Sequence, residues 1–137
     1  MKLINNTKDL LTSLKLDGKS SLLIRNFQID SRKVEKNSVF FGLAGSNEDG
    51  SIYAEDAIKK GASLAIIKKS KISNSIAHSP KIIKVKSPEH TLIQAAEIAM
   101  DRYKGNIIGV TGSNGKTTTK IILSAGIKNS YATYQNY

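Results

Sequence analysis

Cysteine and tryptophan are absent from the 137 residues, and histidine occurs only twice. Without cysteine the chain can form neither a disulfide framework nor a thiolate metal site, which is compatible with a reducing compartment. His78 and His90 do not stand in a metal-ligand spacing, so neither is predicted to bind a metal. No segment approaches the ~20 consecutive apolar residues of a membrane helix, and the first residues lack the apolar core of a signal peptide. These absences predict a cytoplasmic protein without a membrane partner.

Acidic residues are scarce, because 11 Asp and Glu stand against 21 Lys and Arg and give a formal net charge of +10. Such a balance suits an anionic partner, whether a nucleotide, a sugar nucleotide or a nucleic acid. The lysines are spread over the whole chain in pairs such as Lys59-Lys60, and no nucleic-acid-binding motif accompanies them. Nucleic acid is therefore not expected as a partner. A hydrophobic content of 39% is enough for an ordinary core, and the length suits one domain and part of a second.

The main motif is the stretch 106–119, in which an apolar run passes into a glycine-punctuated loop and then into a helical pattern. Strand, loop and helix in this order are typical of a phosphate-binding loop. Gly112 and Gly115 would allow backbone N–H groups to approach phosphate oxygens, and the following helix would direct its N-terminal partial positive charge at the same anion. Lys116 would reach the β- and γ-phosphates, and the Thr117 hydroxyl is placed to bind Mg²⁺.

The glycine spacing of this loop departs from the commonest phosphate-loop pattern. The pattern Gly-x-x-x-x-Gly-Lys-[Ser/Thr] would place a glycine at position 110, which is Val110, whereas the glycines present are Gly109 and Gly112. On spacing alone, a glycine-rich turn that binds nothing is therefore an alternative.

Hydrophobic patterning before the loop predicts short helices and strands in alternation, which is typical of an α/β fold. The predicted elements are, in chain order, a helix over 7–16, strands over 21–28 and 39–43, a helix over 53–60, strands over 64–67 and 81–85, and a helix over 87–103. Thr7 is the expected N-cap of the first helix and Gly18 its end, while Ser87 and Pro88 are the N-cap and first residue of the last. The residues expected to form the buried stripe of that last helix are Leu92, Ala96, Ala99 and Tyr103.

Several polar or aromatic side chains between these elements are interpreted structurally. The acidic pair Glu48-Asp49 is expected in a solvated turn, and Tyr53 at the edge of the core. The polar segment 70–79 is predicted to be a surface loop.

The pattern places a domain boundary ahead of the phosphate loop. We expect an N-terminal domain over 1–86, a connecting helix and linker over 87–105, and the start of a second domain over 106–137. After the loop, a helix is predicted to continue to about Lys128, and a strand to begin at Tyr131. One strand, one helix and a strand fragment cannot form a closed sheet, so we expect the second domain to be incomplete in these residues and incapable of turnover.

Two groups of residues resemble the Mur ligase family. The string Thr111-Gly-Ser-Asn-Gly-Lys-Thr-Thr-Thr119 resembles that family's ATP loop, which uses the shorter glycine spacing. The second similarity, to the N-terminal domain of the Mur ligases that add the third and the last amino-acid units, lies in Asp30-Ser-Arg32, Val39-Phe-Phe-Gly-Leu43, Gly45-Ser-Asn-Glu-Asp-Gly50 and Gly61-Ala62. The resemblance implies an α/β fold in which a small substrate domain precedes the first strand, phosphate loop and helix of a P-loop ATPase domain.

Within the family, the chain resembles most the branch that joins D-alanyl-D-alanine to UDP-N-acetylmuramoyl-tripeptide. Ser113-Asn114 and Lys120 carry this similarity, together with Thr133-Tyr-Gln-Asn-Tyr137, in which Gln135 stands where that branch has glycine. The resemblance implies that ATP, with Mg²⁺, activates the tripeptide carboxylate as an acyl phosphate, which the D-alanyl-D-alanine amine then attacks. It also implies a monomer that acts in cell-wall synthesis.

The resemblance assigns roles to individual residues. ATP would be bound by Gly112, Ser113, Asn114, Gly115, Lys116, Thr117 and Thr118, with Lys116 as the catalytic residue and Thr117 as the metal ligand. The substrate would be contacted by Asp30, Ser31, Arg32 and Asn136. For Asp30, Ser31 and Arg32 a structural role is an alternative, because Asp and Ser cap turns and an arginine can pair with a neighbouring carboxylate.

Other functions fit parts of the sequence. The neighbouring ligase that adds the third residue shares both groups of motifs. A relative of folylpolyglutamate synthetase would share the loop but would leave the pattern over 30–50 unexplained. A basic nucleotide- or nucleic-acid-binding module without catalysis would account for the charge.

Overall fold

The computed structural model describes residues 4–18, 21–46, 48–69 and 79–133. The chain divides into two compact units, residues 1–103 and 104–137. The helices and strands of the first unit are α1 (Thr7–Ser13), β1 (Asn26–Gln28), β2 (Ser38–Phe41), α2 (Ala54–Lys59), β3 (Leu64–Lys68), β4 (Ile82–Val85) and α3 (Pro88–Arg102), and the second unit contains α4 (Lys116–Gly126). Within the described ranges, no helix has the length and apolarity needed to cross a bilayer.

The strands of the first unit form a four-stranded sheet in the order β1-β2-β3-β4. Each strand pairs in parallel with its neighbour. Strands in the interior of a parallel sheet are buried on both faces and therefore read as continuous apolar runs. The run 64–67 is such a case, since all of its side chains are buried. The prediction of an α/β fold is confirmed.

Side chains of the central strands alternate between two cores. On one face, Val39, Phe41, Leu64 and Ile66 pack with residues of α1 and with Ala95 of α3. On the other face, Phe40, Ala65 and Ile67 pack with residues of α2. The sheet therefore lies between α1 and α3 on one side and α2 on the other, which is a three-layer arrangement.

The first helix is capped by Asn6, and the prediction of Thr7 as N-cap is wrong. Asn6 Oδ1 accepts a hydrogen bond from the Asp9 N–H at 2.8 Å. Thr7 is instead buried inside the helix start, where its hydroxyl accepts from the Leu22 N–H at 3.0 Å. The helix also ends well before Gly18, because Lys15 adopts a left-handed conformation with φ of 56° directly after the C-cap.

The predicted strand over 21–28 is regular only from Asn26 onward. Its first half pairs with the segment that precedes α1. Leu23 forms an isolated antiparallel bridge with Asn6, and the Ile24 N–H donates to the Asn5 carbonyl at 2.8 Å. This local pairing satisfies the backbone groups that the prediction assigned to the sheet.

The last helix of the first unit begins as predicted, but its predicted buried stripe is wrong. Ser87 Oγ accepts from the His90 N–H at 3.1 Å, and Pro88 lies in the first turn. Of the predicted stripe only Leu92 packs against the core, while Ala96, Ala99 and Tyr103 are exposed. The face that packs inward contains the residues Pro88, Thr91, Leu92, Ala95 and Ile98.

In the second unit, the described residues 104–133 form α4 with irregular segments on either side. The predicted strand over 106–110 is absent from this range, and so is a strand beginning at Tyr131. A strand requires a hydrogen-bonded neighbour, which the described part of this unit does not offer. The helix ends at Gly126, close to the predicted end at Lys128, and none of its residues is buried. Of the predicted surface loop over 70–79, only Ser79 lies among the described residues.

Candidate functional site

The candidate substrate site of the first unit lies at the carboxyl edge of the parallel sheet. Because all four strands run in the same direction, the segments that follow them meet at one edge. This edge is where open α/β sheets usually bind ligands. It contains the turn after β1, the long segment 42–53 after β2, the end of β3 and the start of α3.

The turn after β1 brings Asp30, Ser31 and Arg32 together. Ser31–Lys33 form one 3-10 turn, which Asp30 caps by accepting from the Arg32 N–H at 3.0 Å. The same carboxylate accepts from Nε and Nη2 of the Arg32 guanidinium, each at 2.9 Å. These bonds lower the pKa of the Asp30 carboxyl to about 2 and raise the pKa of Arg32.

The solvent exposure of Arg32 determines whether this turn can bind a ligand. The Arg32 side chain is 86% exposed, so the guanidinium donors that Asp30 does not engage face solvent. The Ser31 carbonyl accepts from Lys60 Nζ at 3.0 Å, and the same ammonium pairs with Asp56 at 2.7 Å, so the exposed Arg32 guanidinium is the main cationic group of the turn. The turn is thus capped as the structural alternative proposed, and it also presents positive charge to an anionic ligand.

The segment after β2 adds two residues that the sequence did not assign to a site. Ala44 and Asp49 form an isolated antiparallel bridge. The Tyr53 hydroxyl donates to the Glu48 carboxylate at 2.5 Å, and this bond raises the pKa of Tyr53. Arg32 lies close enough to oppose that rise in the pKa of Tyr53. No short sequence motif marks this pair, so the contact is visible only in the fold.

The candidate phosphate loop lies at the N-terminus of α4. Gly115 is the N-cap with φ of 77°, and Gly112 has φ of 136°. Residues that carry a Cβ rarely adopt these backbone conformations, so the backbone geometry favours glycine at both positions. The first backbone bond within the helix is donated by the Thr119 N–H to the Gly115 carbonyl at 2.9 Å. The N–H groups of the first turn therefore point out of the helix end, where an anion binds most favourably.

Lys116 folds back over this loop. Its Nζ donates to the carbonyls of Gly112 at 2.5 Å and Ser113 at 3.5 Å. Ser113, Asn114, Thr117 and Thr118 are exposed around it. All residues predicted to bind ATP therefore lie in one loop and one helical turn, whereas Asn136 lies outside the described residues.

The charge and chemistry of this segment fit a nucleoside triphosphate better than a separate metal centre. Residues 104–133 contain four lysines and no acidic residue. No cluster of three or more acidic, histidine or cysteine side chains that could hold a metal occurs in the described parts of the chain. Mg²⁺ commonly binds through substrate phosphates and one or two protein oxygens. Thr117 could supply one such oxygen to an ion that arrives with ATP.

Comparison with known proteins identifies relatives of both units. The sequence pattern described as Mur ligase family, catalytic domain, matches residues 23–104, which is more than half of the chain. This range includes Asp30, Ser31, Arg32, Glu48 and Tyr53 and ends before the glycine-rich loop.

Two curated relatives carry different ligase names. The UDP-N-acetylmuramoyl-L-alanyl-D-glutamate--2,6-diaminopimelate ligase of Clostridium tetani is 35% identical over 116 residues, which cover 80% of this chain and 23% of the relative. The UDP-N-acetylmuramoyl-tripeptide--D-alanyl-D-alanine ligase of Rickettsia prowazekii is 33% identical over 132 residues, which cover 96% of this chain and 28% of the relative. Among solved structures, the MurF ligase of Thermotoga maritima in complex with ADP matches with a TM-score of 0.60 and 36% identity over 77% of this chain and 23% of its own. The chain spans about a quarter of the length of these relatives.

Proposed function

The chain belongs to the Mur ligase family, and from this premise we propose that it supplies the substrate-binding unit and the phosphate loop of an ATP-dependent ligase of peptidoglycan-precursor synthesis, without completing the reaction by itself. The proposed reaction joins D-alanyl-D-alanine to UDP-N-acetylmuramoyl-tripeptide. The observation that carries the proposal is the phosphate loop, in which Lys116 covers a glycine turn at the N-terminus of α4. It is joined in one chain to a cationic turn at the carboxyl edge of a parallel sheet.

In the first unit, the proposed ligand is the UDP end of the substrate. Arg32 suits the diphosphate, because a guanidinium can donate to an anion from one edge while Asp30 holds the other. The capped turn fixes the direction of the guanidinium before the ligand arrives, which reduces the entropy lost on binding.

In the second unit, the proposed ligand is ATP. A tripeptide carboxylate oxygen would attack the γ-phosphorus, ADP would leave, and an acyl phosphate would form. The D-alanyl-D-alanine amine would then attack the acyl carbon and lose a proton as phosphate leaves. Lys116 would exchange the Gly112 and Ser113 carbonyls for phosphate oxygens and, with the loop N–H groups, stabilise charge on the transferred group. Thr117 would hold a Mg²⁺ ion that arrives with ATP, and such an ion would neutralise part of the same charge.

Two observations support the D-alanyl-D-alanine branch. The Rickettsia relative aligns over 132 residues, against 116 for the Clostridium relative, and the Thermotoga structure is a MurF ligase at 36% identity. Addition of 2,6-diaminopimelate as the third residue is the second candidate, because that ligase name is more common among the similar proteins, the Clostridium relative at 35% identity among them. The D-alanyl-D-alanine branch has the string Gly-Asn-x-Asn-Asn where this chain has Gln135-Asn136-Tyr137, so an Asn-Asn pair encoded directly after Tyr137 would support the first candidate.

Calorimetric titration of the 137-residue chain tests the two binding functions separately. We expect Mg·ATP and UDP-N-acetylmuramoyl-tripeptide each to bind. Lys116→Ala should weaken ATP binding roughly ten- to a hundredfold, because it removes a charge-assisted contact worth ~1.5–3 kcal/mol, and should leave the UDP compound unaffected. Arg32→Gln should have the opposite pattern.

Lys120→Ala is the matched control, because it removes the same charge from the same helix while its Nζ donates to the Thr133 carbonyl at 2.6 Å. Equal losses of ATP affinity in both variants would indicate a general charge effect. If Lys116→Ala leaves ATP affinity unchanged and a single-stranded oligonucleotide binds tightly with a steep salt dependence, the ligase proposal fails and a basic binding module replaces it.

A further inference from the structure

The carboxylate of Glu89 makes a contact that helix capping does not require. Glu89 lies in the first turn of α3, where Ser87 already caps the helix by accepting from the His90 N–H at 3.1 Å. Glu89 Oε1 accepts from the backbone N–H of Ala44 at 2.7 Å, across 45 positions of sequence. Its other oxygen accepts from Ser87 Oγ at 2.9 Å. The Glu89–Ala44 bond therefore connects α3 to the segment after β2.

Ala44 forms the bridge with Asp49 described above, and the segment that this bridge closes includes Glu48 of the candidate substrate site. The Gly45 N–H donates to the Glu48 carbonyl at 2.9 Å. The Glu48 carboxylate accepts from the Tyr53 hydroxyl, and Tyr53 lies within electrostatic range of Arg32. The segment is thus bonded at both ends, since Glu89 accepts from Ala44 and Glu48 accepts from Tyr53.

We propose that Glu89 is a positioning residue for the UDP-substrate site, because its carboxylate holds the Ala44–Asp49 bridge through the Ala44 N–H, and thereby the Glu48–Tyr53 pair, at the sheet edge that carries Arg32. The inference rests on the proposed binding of a UDP sugar to the first unit. Glu89 itself does not touch the ligand in this assignment. It prevents the segment 44–49 and the Glu48–Tyr53 pair from moving away from this edge, so that less order must be created on binding.

Three variants separate positioning from stability. Glu89→Ala removes the acceptor of the Ala44 N–H, and Glu89→Gln retains an amide oxygen at that place. Ser87→Ala removes the helix cap and the Ser87–Glu89 bond but leaves the Glu89 oxygen that accepts from the Ala44 N–H. Affinity of the 137-residue chain for UDP-N-acetylmuramoyl-tripeptide is measured by calorimetry, well below the melting temperature of every variant. Exchange of the Ala44 amide proton is measured by NMR without ligand.

We expect Glu89→Ala to weaken binding roughly tenfold and to accelerate Ala44 exchange, Glu89→Gln to restore affinity to within about twofold of wild type, and Ser87→Ala to lower the melting temperature without changing affinity. If wild type binds and Glu89→Ala binds equally well, or if Ser87→Ala weakens binding as much as Glu89→Ala, the positioning role is wrong and the proposed function stands. If wild type itself does not bind the UDP compound, both proposals fail.

Discussion

Asp30 and Arg32 form a bidentate ion pair within a single turn, and the acidity of Asp30 reports directly on that geometry. The guanidinium bonds are the main reason why the pKa of Asp30 falls from its ordinary 3.8 to about 2, and the Arg32 backbone N–H contributes further. A carboxylate whose pKa is lower in the folded state stabilises the fold above its unfolded pKa. This contribution is lost as the pH falls from about 3.8 through about 2.

The Asp30 carboxyl should therefore titrate with a midpoint near 2 in wild type, and Arg32→Gln should move the midpoint up toward 3.8. Carbon-detected NMR of the side-chain carboxyl measures both values. Lys33→Gln is the control, because Lys33 is the smallest of the charges that lower this pKa, and its removal should shift the midpoint little. A wild-type midpoint at 3.8 would mean that the ion pair does not form in solution.

The segment 42–50 is an element whose shape depends on two glycines that approach backbone closely. A Cβ on Gly50 would lie 2.6 Å from the Leu43 carbonyl oxygen, and one on Gly42 would lie 2.8 Å from the Ser51 nitrogen. Neither backbone neighbour can move without opening the turn, because the Gly50 N–H also donates to the Leu43 carbonyl at 2.8 Å.

Gly50→Ala should lower the free energy of unfolding by ~1–3 kcal/mol, the usual cost of overpacking. It should also weaken binding of UDP-N-acetylmuramoyl-tripeptide, since Gly50 adjoins the Ala44–Asp49 bridge, and Glu48 within that segment bonds to Tyr53, which interacts electrostatically with Arg32. Urea denaturation followed by circular dichroism gives the stability. Gly109→Ala is the matched control, because a Cβ there meets nothing within 4 Å. Equal stability of the two variants would contradict the close backbone approach.

Elements whose signals are local were predictable from the sequence. Ser87 and Pro88 mark the start of α3 because capping and the missing proline N–H act within one turn. The run 64–67 is apolar throughout because its strand is covered on both faces. The α/β class followed from these two kinds of signal.

Elements that depend on distant partners were not predictable. The stripe expected on α3 followed the apolar spacing of Leu92, Ala96, Ala99 and Tyr103, yet the helix packs inward through Ala95 and the polar Thr91 and leaves Tyr103 50% exposed. The strand expected over 106–110 has no neighbour among the described residues. In the candidate sites, the residues of the predicted phosphate loop are contiguous in sequence, so their proximity was predictable, whereas the Glu48–Tyr53 and Glu89–Ala44 contacts arise only from the fold.

At the scale of the whole molecule, the two units should differ in stability. The central strands β2 and β3 are buried on both faces, with Val39, Phe41 and Leu64 at 0% exposure. By contrast, α4 has 11 residues and none is buried, and an isolated helix shorter than ~12–15 residues is marginal in water. Without ligand, amides of α4 should therefore exchange at least ~100-fold faster than those of β3, which corresponds to about 3 kcal/mol.

Ligands should change this exchange pattern one unit at a time. Mg·ATP at a hundredfold excess over its dissociation constant adds ~2.7 kcal/mol to any state that binds it, so exchange in the loop and α4 should slow roughly a hundredfold. The UDP compound should instead protect the turn after β1 and the segment 44–49, and should leave exchange in α4 unchanged.

In Lys116→Ala, the same ATP concentration should give much less protection. The variant lacks the ammonium group, which in wild type would leave the Gly112 and Ser113 carbonyls and bind the phosphates. Hydrogen exchange resolved by NMR measures all of these effects in one chain. Uniform protection of both units before any ligand is added, or equal protection of wild type and Lys116→Ala by ATP, would contradict the assignment of the loop as the nucleotide site.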